Sequence, residues 1–381
     1  MDNRITEEAR HFIGEISRFV RDECIPAEDA IEETGTLPEP LVTRMKDLGL
    51  FGLRIPASYG GAGMNLLDYC FVLKELSKSH DAIRARMSIN NGIGSMAIVN
   101  DGSEDQKSRY LPVLAGGAAI AAFALTEPGA GSDASAIATT AVKTGGGWLL
   151  NGMKHFITNA PIADIFTVIA VTDKEKRARG GISAFLVEKG APGLSIGALH
   201  NTMGGKGWLQ AEVIFEDCFV PDAGLIGAAG SGFKTAMKTL NEGRLSAAAS
   251  AIGIGERLLS MGVDYAKLRK QFGKPIAEFE AIQWMLADSA TELFAADRML
   301  ADTAFRFDSG EDIRTQSSMT KLFATESAFR VADRVLQIHG GMGFMRETKV
   351  ERMFRDIRAY RIFEGTSEIQ RYMIARDLLK D

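Results

Sequence analysis

The sequence predicts an α+β multidomain chain, with an N-terminal all-α domain over residues 1-117, a middle antiparallel β domain over 118-230 and a C-terminal helical bundle over 231-381. Three observations predict it. From Thr6 to about Gly117 apolar residues recur at helical spacing, as in Phe12, Ile16, Phe19 and Val20. The period then changes: Trp148–Leu150, Ile165–Val171, Ile182–Val187 and Ala211–Phe215 are short apolar and β-branched runs spaced by turn residues. After Pro221 only Pro275 remains, and Ile282, Met285, Leu286, Leu293 and Leu300 fit long packed helices.

In chain order, Leu41, Met45 and Leu48 form a second apolar stripe, set off from the first by Pro38 and Pro40. The Gly-rich loop from Pro56 to Gly63 precedes helices expected over Asp68–Ser79 and Ser88–Val99, and Pro112 with Gly116-Gly117 closes the region. The chain has no internal repeat and no low-complexity tract.

With 381 residues the chain can bury a large core. A hydrophobic share of 46% and a net charge of -5, with no basic run, fit a globular protein that does not bind nucleic acid. Cys24, Cys70 and Cys218 lie far apart, which argues for a reducing compartment without disulfides. No apolar signal core, no Arg/Ser-rich transit segment and no window of about twenty apolar residues is visible, so a cytoplasmic location without membrane insertion is expected. The five histidines have no metal-ligand spacing and there is no nucleophile elbow, so neither metal nor covalent catalysis is expected.

Near the C-terminus, Arg361-Ile362-Phe363-Glu364-Gly365-Thr366-Ser367-Glu368-Ile369-Gln370-Arg371 places a carboxylate between apolar residues and a glycine, just before a helix. Ser367 and Gln370 have capping-box spacing, and Ile369, Met373 and Ile374 make a helical stripe. Glu364 then stands at the positive end of a helix, where it serves either as a charge complementing the dipole or as a base kept dry by Ile362 and Phe363. Thr126-Glu127-Pro128-Gly129-Ala130-Gly131-Ser132-Asp133 is a tight turn able to wrap a planar or phosphorylated ligand, or an ordinary hairpin loop. No strand–GxGxxG–helix unit accompanies it.

The phrase FEGTSEIQR resembles the catalytic-base segment of the acyl-CoA dehydrogenases, and TEPGAGSD resembles their flavin-binding loop. Lys154-His155-Phe156-Ile157-Thr158-Asn159 is similar to the second flavin segment, with Phe156 where tryptophan is commoner. Leu268-Arg269-Lys270-Gln271-Phe272-Gly273 and Gln337-Ile338-His339-Gly340-Gly341 resemble two further segments, which in the family complete the flavin site of a neighbouring subunit. Glu280 stands where the family often has glutamine, so no adenine contact is carried over there. The resemblance covers essentially the whole chain.

That resemblance implies the three-domain fold with a C-terminal four-helix bundle, FAD as cofactor, an acyl-CoA substrate, an electron-transfer flavoprotein as electron acceptor, and a homotetramer. It implies flavin contacts for Phe123, Leu125, Thr126, Ser132, Phe156, Thr158, Arg269, Phe272, Gln337, Gly341, Thr366 and Glu368. Substrate contacts are implied for Ser132, Arg244, Gly365 and Arg376. Glu364 would abstract the α-proton while the β-hydrogen leaves as hydride, with the Glu364 backbone N–H and a ribityl hydroxyl polarising the thioester carbonyl. Some branches carry the base just before the arginine matching Arg244, where this chain has Gly243.

Arg84, in His80-Asp81-Ala82-Ile83-Arg84-Ala85-Arg86-Met87-Ser88, resembles the arginine with which glutaryl-CoA dehydrogenases and sulfinopropionyl-CoA desulfinases hold a distal anion. Either it is a surface residue, or it points inward and, if unpaired, favours a short dicarboxylyl thioester. Two other readings stand beside dehydrogenation. A desulfinase would use Arg84 but not Glu364, and a non-catalytic scaffold would need neither.

Overall fold

The computed structural model describes residues 2–380. Its first part consists of the helices α1 (Glu7–Phe19), α2 (Glu28–Thr34), α3 (Glu39–Asp47), α4 (Leu66–Leu76), α5 (Asp81–Asn91), α6 (Met96–Asp101) and α7 (Glu104–Ala115). Their starts follow from local side chains. Thr6 accepts the Ala9 N–H, Asn65 accepts the Asp68 N–H, and Ser103 with Gln106 forms a reciprocal capping box.

The helix expected over Ser88–Val99 is corrected: the chain leaves helical geometry at Gly92 and resumes only at Met96. Asn90 donates to the Leu114 and Ala119 carbonyls and Asn91 to that of Leu50, so side-chain bonds to distant backbone fix the end of α5.

The middle part is one eight-stranded sheet of β1 (Ala121–Ala124), β2 (Thr140–Thr144), β3 (Gly147–Thr158), β4 (Ile165–Val171), β5 (Ile182–Glu188), β6 (Leu194–Leu199), β7 (Gln210–Pro221) and β8 (Leu225–Ile226). Its order is β6-β7-β3-β2-β4-β5-β8, with β1 added beside β4. The sheet is mostly antiparallel, but β1 and the start of β2 run parallel to β4, so the purely antiparallel expectation is corrected at those pairs. β1 enters directly from the helical part, and Asn90 accepts the Ala121 N–H, anchoring the strand at its first residue.

Three long helices follow: α8 (Gly232–Leu268), α9 (Glu280–Asp308) and α10 (Arg314–His339). A short hairpin of β9 (Lys270–Gln271) and β10 (Lys274–Pro275) joins the first two. α11 (Lys349–Arg358) and α12 (Ser367–Leu378) both pack on α10 and complete the bundle.

A single hydrophobic core joins the N-terminal helices to the bundle, from Ile16, Met45 and Leu73 to Leu245, Leu300 and Val335. Buried Glu28 adds polar ties across it. Arg257 on α8 reaches it at 2.9 Å, and Lys349 and Arg352 on α11 at 3.0 and 3.2 Å. Burial pushes the Glu28 carboxyl up, but these three cations outweigh it and hold the pKa down at about 2.

Candidate active site

The turn between α11 and α12 is built from two consecutive residues in the left-handed region, Glu364 at φ 57° and Gly365 at φ 88°. Glycine adopts this freely, whereas glutamate pays about 1 kcal/mol or more for it. Two side chains compensate. Gln370 donates to the carbonyls of Glu364 and Gly365 at 3.1 and 2.9 Å, and Lys321 donates to the Gly365 carbonyl at 2.9 Å.

The expected Ser367–Gln370 capping box is therefore corrected. Thr366 is the N-cap, accepting the Ile369 N–H, while the Gln370 amide is spent on the turn. The left-handed pair redirects the chain one residue earlier than the box pattern assumes.

This turn presses the Glu364 carboxylate against α8 at Gly243. A Cβ at Gly243 would lie 2.7 Å from Oε2, 2.9 Å from Cδ and 3.0 Å from Oε1. Oε2 is shielded from solvent and has no hydrogen-bond partner among the described residues. Burial raises the Glu364 pKa to about 7, although Arg244, Lys321 and Arg84 all pull the other way. Arg244 is buried, with Nη1 donating to Asn241 at 3.0 Å and Ser318 at 3.4 Å. The Glu364 N–H finds no acceptor among the described residues.

Arg84 points inward, which excludes the surface reading. It is not unpaired: Nε and Nη2 grip Asp81 at 2.8 and 2.9 Å, and Nη1 reaches Ser88 at 3.2 Å. The guanidinium lies 5.6 Å from the Trp208 ring and 5.5 Å from that of Tyr360, whose hydroxyl donates to Asp81 at 2.7 Å. Burial works against the charge on Arg84, yet Asp81 more than restores it. The premise of a guanidinium lacking an anion is thus corrected, because the partner sits three residues earlier on the same helix face. Phe363 packs 6.1 Å from Trp208 and 4.8 Å from Tyr360, closing an aromatic wall next to the base.

On the sheet, the loop after β1 and the end of β3 lie side by side. The His155 N–H donates to the Thr126 carbonyl at 2.8 Å, and buried Lys154 bonds the Leu125 carbonyl at 3.0 Å and Glu127 at 2.7 Å. Glu127 also accepts the Ala138 and Thr139 N–H groups at 2.6 and 2.9 Å, which fixes the loop from both ends. Phe123 and Leu125 are buried beneath it, and Ser132 is exposed at its tip. Phe156 has φ 58° and remains 57% exposed, with Thr158 half-buried beside it. This leaves an aromatic face and two threonine hydroxyls along one edge, a donor set that fits a planar ring system such as a flavin.

The remaining expected residues are elsewhere. Arg269 and Phe272 are exposed on the β9–β10 hairpin, with Phe272 92% exposed, and Gln337 and Gly341 are exposed at the end of α10. Along α8 the hairpin lies about 37 Å from Gly243 at 1.5 Å per residue. Thr366 caps α12, Glu368 is exposed in its first turn, and Arg376 is exposed over Tyr372. Lys321, Trp208, Tyr360 and Asp81 were not singled out from the sequence. A signal existed only for Lys321, which interrupts the buried small-residue face Ser317, Ser318, Ala324, Thr325 and Ala328.

Family models for the N-terminal, middle and C-terminal domains of acyl-CoA dehydrogenase match residues 6–118, 122–218 and 230–379. The chain is 42% identical to an acyl-CoA dehydrogenase of Bacillus subtilis (strain 168), over 98% of this chain and 99% of that one. It is 41% identical to the caffeyl-CoA reductase–Etf complex subunit CarC of Acetobacterium woodii, over 92% and 93%. Among solved structures, a glutaryl-coenzyme A dehydrogenase with glutaryl-CoA superposes with TM-score 0.94 at 33% identity, covering 100% of this chain and 97% of that one. An acyl-CoA dehydrogenase of Bacillus anthracis complexed with FAD gives TM-score 0.92 at 34% identity, covering 100% and 68%.

Proposed function

The chain belongs to the acyl-CoA dehydrogenase family, and on that premise we propose that it is the dehydrogenase of a short acyl-CoA, with Glu364 as the base. It is an oxidoreductase acting on acyl-CoA, and its cofactor is FAD. Thr126, Ser132, Phe156 and Thr158 would hold the flavin against the sheet, over the buried Phe123 and Leu125. Bound FAD supplies the two-electron acceptor for the β-hydrogen.

The observation that carries the reading is a shielded carboxylate with a free oxygen, a pKa near neutrality and two buried cations beside it. Its ionised form takes the α-proton and becomes a neutral acid, the state that burial favours. As charge develops on the thioester oxygen, the free Glu364 N–H is available as donor. Gly365 lets the thioester approach the backbone, and Arg244 keeps the developing charge in a positive field.

The aromatic wall of Trp208, Tyr360 and Phe363 beside the base supports a short acyl chain. At its far side the Arg84–Asp81 pair is neutral as a unit, with Nη1 and Ser88 as the edge left to meet a distal acceptor such as a carboxylate. The separation of Arg269, Phe272, Gln337 and Gly341 from the rest supports a homo-oligomer, a tetramer as in the family resemblance, in which these residues complete the flavin site of a neighbour, while Thr366 and Glu368, at the α12 start beside Glu364, would meet the flavin of their own chain. The Etf complex that the A. woodii relative belongs to supports an electron-transfer flavoprotein as the acceptor.

The test is an anaerobic titration of the flavin-loaded protein with butyryl-CoA and then glutaryl-CoA. Both are expected to bleach the visible flavin band in the wild type and neither in E364Q. Bleaching of E364Q at the wild-type rate, or none in the wild type with either thioester, would overturn the assignment. A glutaryl preference lost in R84M would assign the distal acceptor to Arg84; equal use of both thioesters would leave Arg84 as wall.

A further inference from the structure

We propose that Lys321 is a positioning residue for the base: its buried ammonium locks the Glu364–Gly365 turn through the Gly365 carbonyl and holds a fixed positive charge beside the carboxylate. The inference rests on the reading of Glu364 as the base.

Lys321 is fully buried on α10, and its Nζ has one hydrogen-bond partner among the described residues, the Gly365 carbonyl at 2.9 Å. It makes no ion pair among the described residues. A buried ammonium with one neutral acceptor is costly, and a neutral donor would hold a carbonyl at lower cost, so the charge itself has a use at this position. Ser318, one turn earlier on α10, meets Arg244 from α8, so the same helix face carries both contacts toward the site.

Three cations face Glu364: Arg84 from α5, Arg244 from α8 and Lys321 from α10. Asp81 neutralises Arg84, which leaves Arg244 and Lys321 as the uncompensated charges. Lys321 in turn is faced by Glu364, Arg244, Glu326 and Glu368, and of these Glu326 is paired with Arg361 at 2.9 Å while Glu368 is exposed. Burial lowers the Lys321 pKa to about 8, so the residue carries its charge at neutral pH and loses it as pH rises through that value.

The electrostatic half is tested without substrate. In flavin-loaded protein, the carboxylic-acid infrared band that E364Q abolishes is titrated across neutral pH in wild type, K321Q and K321M. Gln370 tethers the Glu364 and Gly365 carbonyls, so the turn keeps that support in both variants. K321Q keeps a donor for Gly365 without the charge, and K321M keeps neither. The midpoint is expected to move alkaline by about one pH unit in both, cutting the ionised fraction at pH 7 about fivefold. At alkaline pH, where Glu364 is ionised in all three, flavin reduction by butyryl-CoA should be within about twofold of wild type in K321Q and about tenfold slower in K321M.

An unshifted midpoint in K321Q with full flavin content overturns the electrostatic half. A K321M plateau equal to that of K321Q overturns the positioning half. A wild type that no acyl-CoA bleaches would refute the proposed reaction and leave the infrared titration standing, so the two failures are distinguishable.

Discussion

Replacing Gly243 by alanine separates catalysis from stability in one substitution. The new Cβ would meet Glu364 Oε2 at 2.7 Å, and ordinary contact begins at 3.4 Å, so the carboxylate must withdraw by about 0.7 Å or rotate away. The backbone cannot yield easily, because Lys321 and Gln370 hold both carbonyls of the turn. A displacement approaching 1 Å between a base and its proton costs about 100-fold in rate, or about 2.7 kcal/mol of barrier.

Stability should move the other way or not at all. Gly243 lies inside α8, where alanine is better than glycine by about 1 kcal/mol and the clash falls on a side chain. The assay is anaerobic stopped-flow reduction of the flavin by butyryl-CoA, alongside urea unfolding of the same preparation. G243A should keep its flavin and its unfolding midpoint while the reduction rate falls about 100-fold. A rate within twofold of wild type in a fully flavinated variant would refute the placement of the carboxylate on α8.

The raised Glu364 pKa carries a stability cost with a defined sign. The unfolded carboxyl ionises near 4.5 and the folded one near 7, so between these the folded state holds a proton that the unfolded state has released. Wild-type stability relative to E364Q should fall as pH rises through that window, and at pH 8 E364Q should be more stable by about 3 kcal/mol; parallel unfolding curves at pH 5 and pH 8 would contradict this. Lys154→Met should cost about 3 kcal/mol, because it strands Glu127 in a buried site. It should also lower flavin content, by loosening the Thr126 loop. The double variant K154M/E127Q should recover part of the stability, and full flavin content in K154M would show that the pair does not shape the loop.

The helices, the strands and the family resemblance of the Glu364 segment were legible in the sequence because their causes are local. Hydrophobic period, turn residues and caps act over a few residues, and a short peptide such as FEGTSEIQR carries its own family resemblance. The misreadings are confined to single elements. Asn90 and Asn91 end α5 by bonding segments far away in the chain, and Thr366 displaces Ser367 as cap because two left-handed residues precede it. β1 joins β4 in parallel because pairing depends on where a strand enters the sheet, which its composition does not encode.

Only the tertiary structure decided the state of the charges. That Glu364 lies on Gly243, 121 positions earlier in the sequence, sets both its burial and its proton affinity. That Lys321 is left with a neutral carbonyl as its partner follows from which helix faces meet, whereas Arg84 is neutralised by Asp81 from within its own helix. Sequence determined which chemistry was available to this protein; packing determined which groups remain charged, which are dry, and which carboxylate is left free to accept a proton.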